Sequence, residues 1–265
     1  ERLFRVGEIL ARRKEEIARA MTREMGKVLK EARGDVQEGI DTAFLHAGEG
    51  RRLYGFSAPS ELPNKAGWCV RAPVGVCALI TPWNFPRATP TWKTFPALGA
   101  GNTVVLKPAS DTPHCSHLLA EVLEEAGFPP GVFNLVHGSG GSVGRPLYSH
   151  PDVRVVSFTG SSEVGRGLQA EAGRLLKRVS LELGGKNAQI VMDDADLDLA
   201  LEGALWGAFG TSGQRCTATS RLILHRKIHD AFLDRLVARA KALKIGPGLD
   251  AKSEVGPLIN RERVK

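Results

Sequence analysis

The chain has 265 residues, of which 42% are hydrophobic and 25% are charged, and its net charge is +7. At about 150 residues per domain, this length corresponds to one or two domains that can each bury a core. The composition excludes a disordered chain and a disulfide-stapled miniprotein, and no apolar run approaches the ~20 residues that a membrane span requires. The chain begins at Glu1, without a methionine and inside a helical pattern, so we expect the true N-terminus to be absent.

The charge pattern and the cysteines indicate which partners and which compartment to expect. Basic residues alternate with acidic ones instead of forming a stripe interleaved with aromatics, so we expect no nucleic-acid partner and no membrane partner. None of the four cysteines forms a Cys-x-x-Cys pair, which favours a reducing compartment, the cytoplasm. Cys69 and Cys77 lie in β-like stretches and are expected to be small core residues.

The first third of the chain reads as helices followed by an excursion. Apolar residues recur at a helical period over residues 3–29, and a second helical stretch runs over 35–52. Residues 55–73 are rich in proline and glycine and read as a loop or hairpin outside the main fold.

From Val74 onward, short apolar runs alternate with helical patterns. The runs at 74–80, 103–106, 132–136 and 153–158 resemble strands buried on both faces, and helices are predicted at 116–126 and 162–176. This alternation predicts an α/β fold with an open parallel sheet, in which ligands bind beyond the carboxyl ends of the strands. Strands at 178–183, 188–192 and 220–225 and helices at 197–209 and 228–243 follow.

The loops after the first two strands each carry a candidate polar group. Asn84, set between two prolines and two aromatics, can aim its amide at a developing oxyanion, but a turn in which it bonds to the backbone fits equally well. Lys107 ends a buried strand and suits phosphate or ribose oxygens; in isolation, a lysine that extends to the surface is the commoner case.

Two glycine-rich segments are candidates for a phosphate site. Phe158-Thr-Gly160-Ser161 follows a strand and opens a helix that reaches Gly165, so its free amides can receive a phosphate. The segment at 138–144 resembles a dinucleotide fingerprint with its third glycine one residue late, and we interpret it as a flexible turn.

Glu182 and Cys216 are candidate catalytic groups. Glu182 lies between leucines, which would raise its pKa toward that of a general base, although an outward-facing strand residue is the simpler interpretation. Cys216 ends a glycine-punctuated loop beside Arg215, whose positive charge favours the nucleophilic thiolate. His114 and His117 have the spacing of a metal pair but no third ligand nearby, so no metal is expected.

Five motifs in this order resemble those of the aldehyde dehydrogenase superfamily. They are Pro82-Trp-Asn84-Phe-Pro86, Lys107-Pro-Ala-Ser110, Phe158-Thr-Gly160-Ser, Leu181-Glu182-Leu-Gly-Gly-Lys186 and Gly213-Gln-Arg-Cys216, with 34 residues from Glu182 to Cys216. The resemblance extends from near residue 1 to residue 265. It implies a Rossmann-like dinucleotide-binding domain at 1–56 and 73–186, an oligomerisation hairpin at 57–72, and part of a catalytic domain at 187–265.

The resemblance also implies roles for single residues. Cys216 would attack the aldehyde, Asn84 and the Cys216 amide would hold the oxyanion, and Glu182 would activate the water that hydrolyses the thioester. Phe85, Trp92 and Arg215 would line the substrate funnel. Two substrate classes remain open: an apolar aldehyde, or a semialdehyde whose carboxylate binds Arg87 or Arg215. NAD or NADP would be the cofactor, and the residues that would bind it are Thr81, Pro82, Trp83, Lys107, Ser110, Phe158, Gly160, Ser161, Gly165 and Leu183.

Two departures from the family pattern carry expectations of their own. Many NAD-preferring members have Glu where this chain has Ser110, and the serine removes a repulsion toward a 2′-phosphate, so NADP should be tolerated. The later motif Glu-x-Phe-Gly-Pro does not occur, which indicates a fragment that lacks the C-terminal part. If the polypeptide ends at Lys265, we expect little or no dehydrogenase activity, or at most thiol esterase activity; the full-length protein should be a homodimer or homotetramer.

Overall fold

A computed structural model describes residues 1–264, and the chain opens with helices. These are α1 (Arg2–Arg12), α2 (Lys14–Met25) and α3 (Leu29–Glu49). The single helix predicted over 3–29 is wrong, because the backbone at Arg13 (φ −92°, ψ 10°) leaves the helical region. The predicted start at 35 is also wrong: α3 begins at Leu29, since its buried face already includes Ala32.

A two-stranded antiparallel hairpin follows. Its strands are β1 (Phe56–Pro59) and β2 (Ala66–Cys69), with Phe56 opposite Cys69, and every residue in both is exposed. The prediction that Cys69 is a core residue is therefore wrong, because within residues 1–264 no second layer covers the hairpin. Cys77, by contrast, is buried as predicted.

The centre of the fold is a five-stranded parallel sheet of order β5-β4-β3-β6-β7, which confirms the predicted α/β class. Its elements, with the intervening helices, are β3 (Val76–Ile80), α4 (Ala88–Gly99), β4 (Thr103–Lys107), α5 (Pro113–Glu125), β5 (Phe133–Leu135), α6 (Arg145–Ser149), β6 (Val153–Gly160), α7 (Ser162–Arg174) and β7 (Arg178–Leu183). The chain passes from β3 outward to β5 and then returns to the other side of β3 at β6. Ligands of open α/β sheets bind at the point where the strand order reverses, here between β3 and β6.

Two helical segments lack a clear sequence signal. Helix α4 contains Pro90 in its first turn, where the missing amide hydrogen costs nothing, and Pro96 inside the helix, where it removes a hydrogen bond. Burial of Phe95 and Leu98 offsets that loss. The flexible turn predicted at 138–144 is wrong: Gly140–Gly144 forms a π-helical turn that continues into α6, with the Ser142 amide donating to Ser139 Oγ at 3.0 Å.

The last part of the described chain forms a second, smaller α/β unit. It contains β8 (Asn187–Val191), α8 (Leu197–Phe209), β9 (Thr219–Leu224) and α9 (His229–Lys241), and short 3-10 helices at Gly210–Gly213 and Arg261–Val264. Strands β8 and β9 pair in parallel in a sheet of their own, over a core that includes Leu205 and Phe232. The change of sheet falls between Leu183 and Asn187. Among residues 1–264, every helix is too short or too polar to cross a bilayer.

Candidate functional site

The carboxyl ends of the central strands bring the predicted motifs together. Ile80 pairs with Lys107 on one side and with Phe158 on the other, and Gly160 pairs with Leu183. Because the strands are parallel, the loops that follow them all leave from one edge of the sheet. The predicted nucleotide-binding residues, which the sequence separates widely, are therefore neighbours.

The cysteine loop has an unusual backbone. Thr211 (φ 52°, ψ 35°) and Ser212 (φ 57°, ψ 32°) are both left-handed, a conformation that residues with a Cβ disfavour. The carboxylate of Glu31 on α3 accepts hydrogen bonds from the Thr211 amide at 2.8 and 3.0 Å, and from its hydroxyl at 3.2 Å. These contacts hold the loop, and Cys216 at its end is exposed.

Two asparagine side chains converge on the cysteine segment. Asn84 Nδ2 donates to the carbonyl oxygen of Gln214 at 3.1 Å, although the two residues are 130 positions apart. Asn187 Nδ2 donates to the carbonyl oxygen of Cys216 at 2.6 Å. The Asn84 amide, which is expected to hold an oxyanion, thus contacts the residue two positions before Cys216, the expected nucleophile.

Glu182 lies near the end of β7, on the sheet that carries Asn84. Glu182 is exposed, as the simpler interpretation of an outward-facing strand residue predicts, because its strand alternates and its two leucine neighbours face inward. A nearby cation is Lys93 on α4, whose Nζ donates to Ser157 Oγ at 2.8 Å. Burial lowers the pKa of Lys93 to about 8, and the charge of Glu182 partly opposes that shift.

Lys107 and Ser110 lie at the outer end of the same edge. Lys107 is only 4% exposed, which excludes the surface lysine considered above, and its Nζ donates to the carbonyl oxygen of Pro108 at 2.6 Å. Burial lowers its pKa. Ser110 is exposed and donates to the carbonyl oxygen of Gly138 at 3.3 Å, so the segment interpreted as a turn lies against this site.

The start of α7 has the features of a phosphate site. Ser161 caps the helix by accepting from the Val164 amide at 3.3 Å, while the first amides of the helix have no intrahelical acceptor. A Cβ on Gly165 would lie 2.5 Å from a methyl carbon of Leu183, so glycine is needed for α7 to pack this closely on β7. The remaining predicted groove residues lie beside it: Phe158 and Thr81 are buried, and Pro82 and Trp83 are half-buried.

A cavity of about 770 Å³ opens beside the cysteine. Phe85, Trp92, Arg215 and Cys216 all line it, as does Lys30 on α3. The guanidinium of Arg215 stacks 3.9 Å from the ring centroid of Trp206 and donates to the carbonyl oxygen of that residue. Burial lowers the pKa of Arg215.

Arg87 does not reach this cavity, so its predicted role in substrate binding is wrong. Its side chain is fully buried and packs against Gly39 of α3. None of its nitrogens has a hydrogen-bond partner within residues 1–264. The sequence motif places Arg87 after Pro86 at the start of α4, which turns it toward the helical layer instead of the loop edge.

Sequence reasoning missed the charged residues of α3, and of the turn between α2 and α3, that reach the site. Besides Glu31, these are Lys27 and Asp35, whose side chains are both fully buried and pair at 2.9 Å. A carboxylate at i and another at i+4 on α3 mark one helix face, but that pattern is ordinary on any exposed helix. Over residues 1–264, no group of three or more potential metal ligands occurs.

Comparison with known proteins identifies the family. The chain matches the aldehyde dehydrogenase family over residues 1–265. It is 46% identical over 263 residues to glutarate-semialdehyde dehydrogenase of Pseudomonas aeruginosa, covering 99% of this chain and 54% of that protein. It is also 46% identical over 256 residues to the NADP(+) succinate-semialdehyde dehydrogenase of Escherichia coli, covering 97% and 53%.

Solved structures agree. An NADP-dependent enzyme from E. coli superposes with a TM-score of 0.96 at 45% identity, covering 99% of this chain and 55% of that one. Betaine aldehyde dehydrogenase from Staphylococcus aureus in complex with NAD+ has a TM-score of 0.96 at 38% identity, covering 98% and 52%. The chain thus spans about half the length of the relatives it matches. Over that span, sequence and structure agree, and the chain belongs to the aldehyde dehydrogenase family.

Proposed function

We propose that the protein oxidises an aldehyde to the carboxylic acid with NAD(P)+, through a thiohemiacetal and then a thioester on Cys216. The observation that carries this proposal is the contact of Asn84 Nδ2 with the Gln214 carbonyl oxygen at 3.1 Å, which joins the amide loop to the thiol loop. Membership of the aldehyde dehydrogenase family supports it.

The first step is attack of the Cys216 thiolate on the aldehyde carbon. A carbon–sulfur bond forms, and the carbonyl π electrons move to the oxygen. Asn84 and the Cys216 amide donate to that oxyanion, and such donors act most strongly where the charge develops in the transition state. An exposed thiol at the wall of a cavity is accessible to a substrate, which supports this role for Cys216.

The second half of the reaction transfers a hydride and then hydrolyses the thioester. A nicotinamide nucleotide held by Lys107, Gly160 and Ser161 would supply a hydride acceptor, and the thiohemiacetal on Cys216 would become a thioester as its carbonyl reforms. Glu182 then removes a proton from the water that attacks the thioester, and the Cys216 thiolate leaves. Exposure of Glu182 supports this role, because the water must reach the carboxylate.

We assign the nucleotide to the edge between Lys107 and Leu183. Lys107 and Ser110 would contact the adenosine ribose, and Gly160 with Ser161 would contact the diphosphate at the start of α7. Lys107 fits this task because its buried ammonium has a backbone carbonyl as partner and can take a ribose oxygen as another. Ser110 carries no negative charge, so we propose that NADP is accepted; the NADP(+) named for the E. coli relative supports this.

For the substrate, we propose an aldehyde with a carboxylate at its far end. Phe85 and Trp92 offer an apolar passage, and Arg215 and Lys30 are cations of the same cavity, whose lining also includes the carboxylates of Glu31 and Glu38. Relatives named for glutarate semialdehyde and succinate semialdehyde support this class. A charge-assisted hydrogen bond contributes about 1.5–3 kcal/mol, so Arg215→Leu should lower kcat/KM for glutarate semialdehyde roughly 10- to 100-fold. An uncharged aldehyde of the same length should be affected much less.

We also propose the domain division and setting predicted from the sequence: a dinucleotide-binding domain at 1–56 and 73–186, a catalytic part at 187–265, and a homo-oligomer in the cytoplasm. The exposed hairpin between Phe56 and Cys69 supports a role in oligomerisation.

The test is nucleotide reduction followed by absorbance, with a panel of aldehydes and with NAD+ and NADP+ in turn. Aldehyde-dependent reduction that Cys216→Ala abolishes is the expected result, and Cys69→Ala, at an exposed cysteine of the hairpin, is the matched control. Ester hydrolysis at Cys216 without any nucleotide reduction would favour a thiol hydrolase instead.

A further inference from the structure

Helix α3 contacts both loops that carry the proposed chemistry. Glu31 accepts from the Thr211 amide at 2.8 Å, in the loop that ends at Cys216. Asp35, one helical turn later, accepts from the Ala88 amide at 2.6 Å, just after the Asn84 turn. Residues four apart in a helix share a face, so one rigid surface holds both loops.

A buried ion pair with Lys27 stabilises the position of the Asp35 carboxylate. Its second oxygen pairs with the Lys27 ammonium at 2.9 Å, and both side chains are fully excluded from solvent. The same ammonium lies 4.4 Å from the ring centroid of Phe85, the residue after Asn84. The ion pair therefore contacts the amide loop at two points, through the Ala88 amide and through the Phe85 ring.

Glu31 stabilises a left-handed backbone conformation that the loop at Thr211 and Ser212 does not favour by itself. Thr211 and Ser212 are consecutive left-handed residues, and neither is glycine. A strained segment of this kind persists only where its surroundings hold it. Glu31 supplies three hydrogen bonds at that point, and Ser212 adds one to the carbonyl oxygen of Gly256 at 2.6 Å.

We propose that Glu31 and Asp35 are positioning residues that hold the Cys216 thiol and the Asn84 amide at the separation that oxyanion binding requires. We call this pair the α3 clamp. Neither residue touches the reacting atoms; each acts through the loop it holds. The proposal rests on the proposed function, since it assigns the clamp to the step in which Cys216 attacks the carbonyl carbon and the oxyanion forms.

The test compares two reactions of the same thiol. Alkylation by iodoacetamide depends on the thiolate and forms no oxyanion, whereas acylation by p-nitrophenyl acetate forms one and needs the donor in place. Mass spectrometry of the digested chain measures both rates at each cysteine. Cys69 is an exposed internal reference, and the buried Cys77 and Cys115 become reactive only when the fold opens.

Four substitutions address the two halves of the clamp. Glu31→Ala removes the acceptor for Thr211, and Glu31→Gln keeps a carbonyl acceptor there. For Asp35, the variants Lys27→Met/Asp35→Asn and Lys27→Met/Asp35→Leu both remove the two charges of the Lys27–Asp35 pair but differ in whether an acceptor remains for the Ala88 amide. Glu49→Ala is the matched control, since this carboxylate lies on the same helix and, within residues 1–264, pairs with the exposed Arg52 alone.

The α3 clamp predicts that Glu31→Ala and Lys27→Met/Asp35→Leu lower acylation of Cys216 at least tenfold relative to its alkylation. Glu31→Gln and Lys27→Met/Asp35→Asn should stay within about threefold of the unsubstituted chain, and Glu49→Ala should not differ from it. Cys69 should react equally in all variants. Equal changes in the two rates, no change, or failure of the conservative variants to restore acylation would overturn the clamp, as would labelling of Cys77 and Cys115.

The failure of the proposed function has a different signature. If Cys216 of the unsubstituted chain is alkylated but never acylated, the acyl chemistry fails. Amide hydrogen exchange then decides the clamp: Glu31→Ala must accelerate exchange over 210–216, and Glu31→Gln must not. Unchanged exchange in Glu31→Ala would overturn it.

Discussion

Removal of Asp35 alone should destabilise the chain far more than removal of the whole buried ion pair. In Asp35→Leu, the Lys27 ammonium stays at a position with no solvent exposure and loses the partner at 2.9 Å. An uncompensated buried charge of this kind costs about 3–5 kcal/mol. The Ala88 amide also loses its acceptor at 2.6 Å, which adds about 1–3 kcal/mol.

The double variant Lys27→Met/Asp35→Leu removes the charge together with its partner. The costs that remain are those that the single variant shares: about 1–3 kcal/mol for the Ala88 amide, and the loss of the Asp35 charge that favours the charged form of the buried Arg87. A methionine of similar length refills the space that Lys27 leaves. The double variant should therefore be more stable than the single one by about 3 kcal/mol, and denaturant unfolding followed by circular dichroism measures the difference. Equal midpoints for the two variants would refute the reasoning that burial of the unpaired ammonium dominates. Arg33→Ala, at an exposed pair with Glu15, is the control and should leave the midpoint unchanged.

Three further predictions concern the sheet edge. The pKa of the Lys93 ammonium is about 8 in the folded chain, against an ordinary value of 10.5. Between these values the folded state binds fewer protons than the unfolded state, so the free energy of unfolding should rise with pH. Lys93→Met should remove this rise in unfolding experiments. Gly165→Ala should destabilise α7 by about 1–3 kcal/mol because the new Cβ meets Leu183 at 2.5 Å, whereas Gly167→Ala, with open space around it, should stabilise the same helix by about 0.5–1 kcal/mol; a Gly165→Ala midpoint at or above that of Gly167→Ala would count against the packing argument. Ser110→Glu should lower kcat/KM for NADP at least tenfold with little effect on NAD, and equal losses for both nucleotides would contradict the assignment of Ser110.

The sequence predicts those parts of the fold whose signal is local. Apolar runs such as Val76–Ile80 mark buried parallel strands, and Asp196 caps α8 by accepting from the Leu199 amide at 3.1 Å, as the acidic cluster before that helix indicates. Helix α4 gives no such signal, because Pro90 and Pro96 are typical of loops, and burial of residues such as Phe95 and Leu98 stabilises the helix.

The residues of the candidate site also divide into those with a local sequence signal and those without one. The motifs around Asn84 and Cys216 are short, and their order along the chain makes these residues candidates without a structure. The contacts of Glu31 with Thr211 span 180 positions, and no pattern near either residue indicates them. The burial of Arg87 depends on which layer its element packs against, which local patterns do not determine, whereas the alternation of β7 does indicate the exposure of Glu182.

Isotope transfer tests whether the hydride leaves the aldehyde carbon while that carbon is bound to Cys216. Glutarate semialdehyde deuterated at its aldehyde carbon is incubated with NADP+ and a Glu182→Gln variant, in which the proposed hydrolysis is slow, and the mixture is quenched with acid. We expect deuterium in the reduced nucleotide and a matching amount of acyl group on Cys216, with neither product when Cys216→Ala is added to the variant. Deuterium transfer that leaves Cys216 unmodified, or an acyl group that appears on Cys69 instead, would contradict the proposed thioester on Cys216.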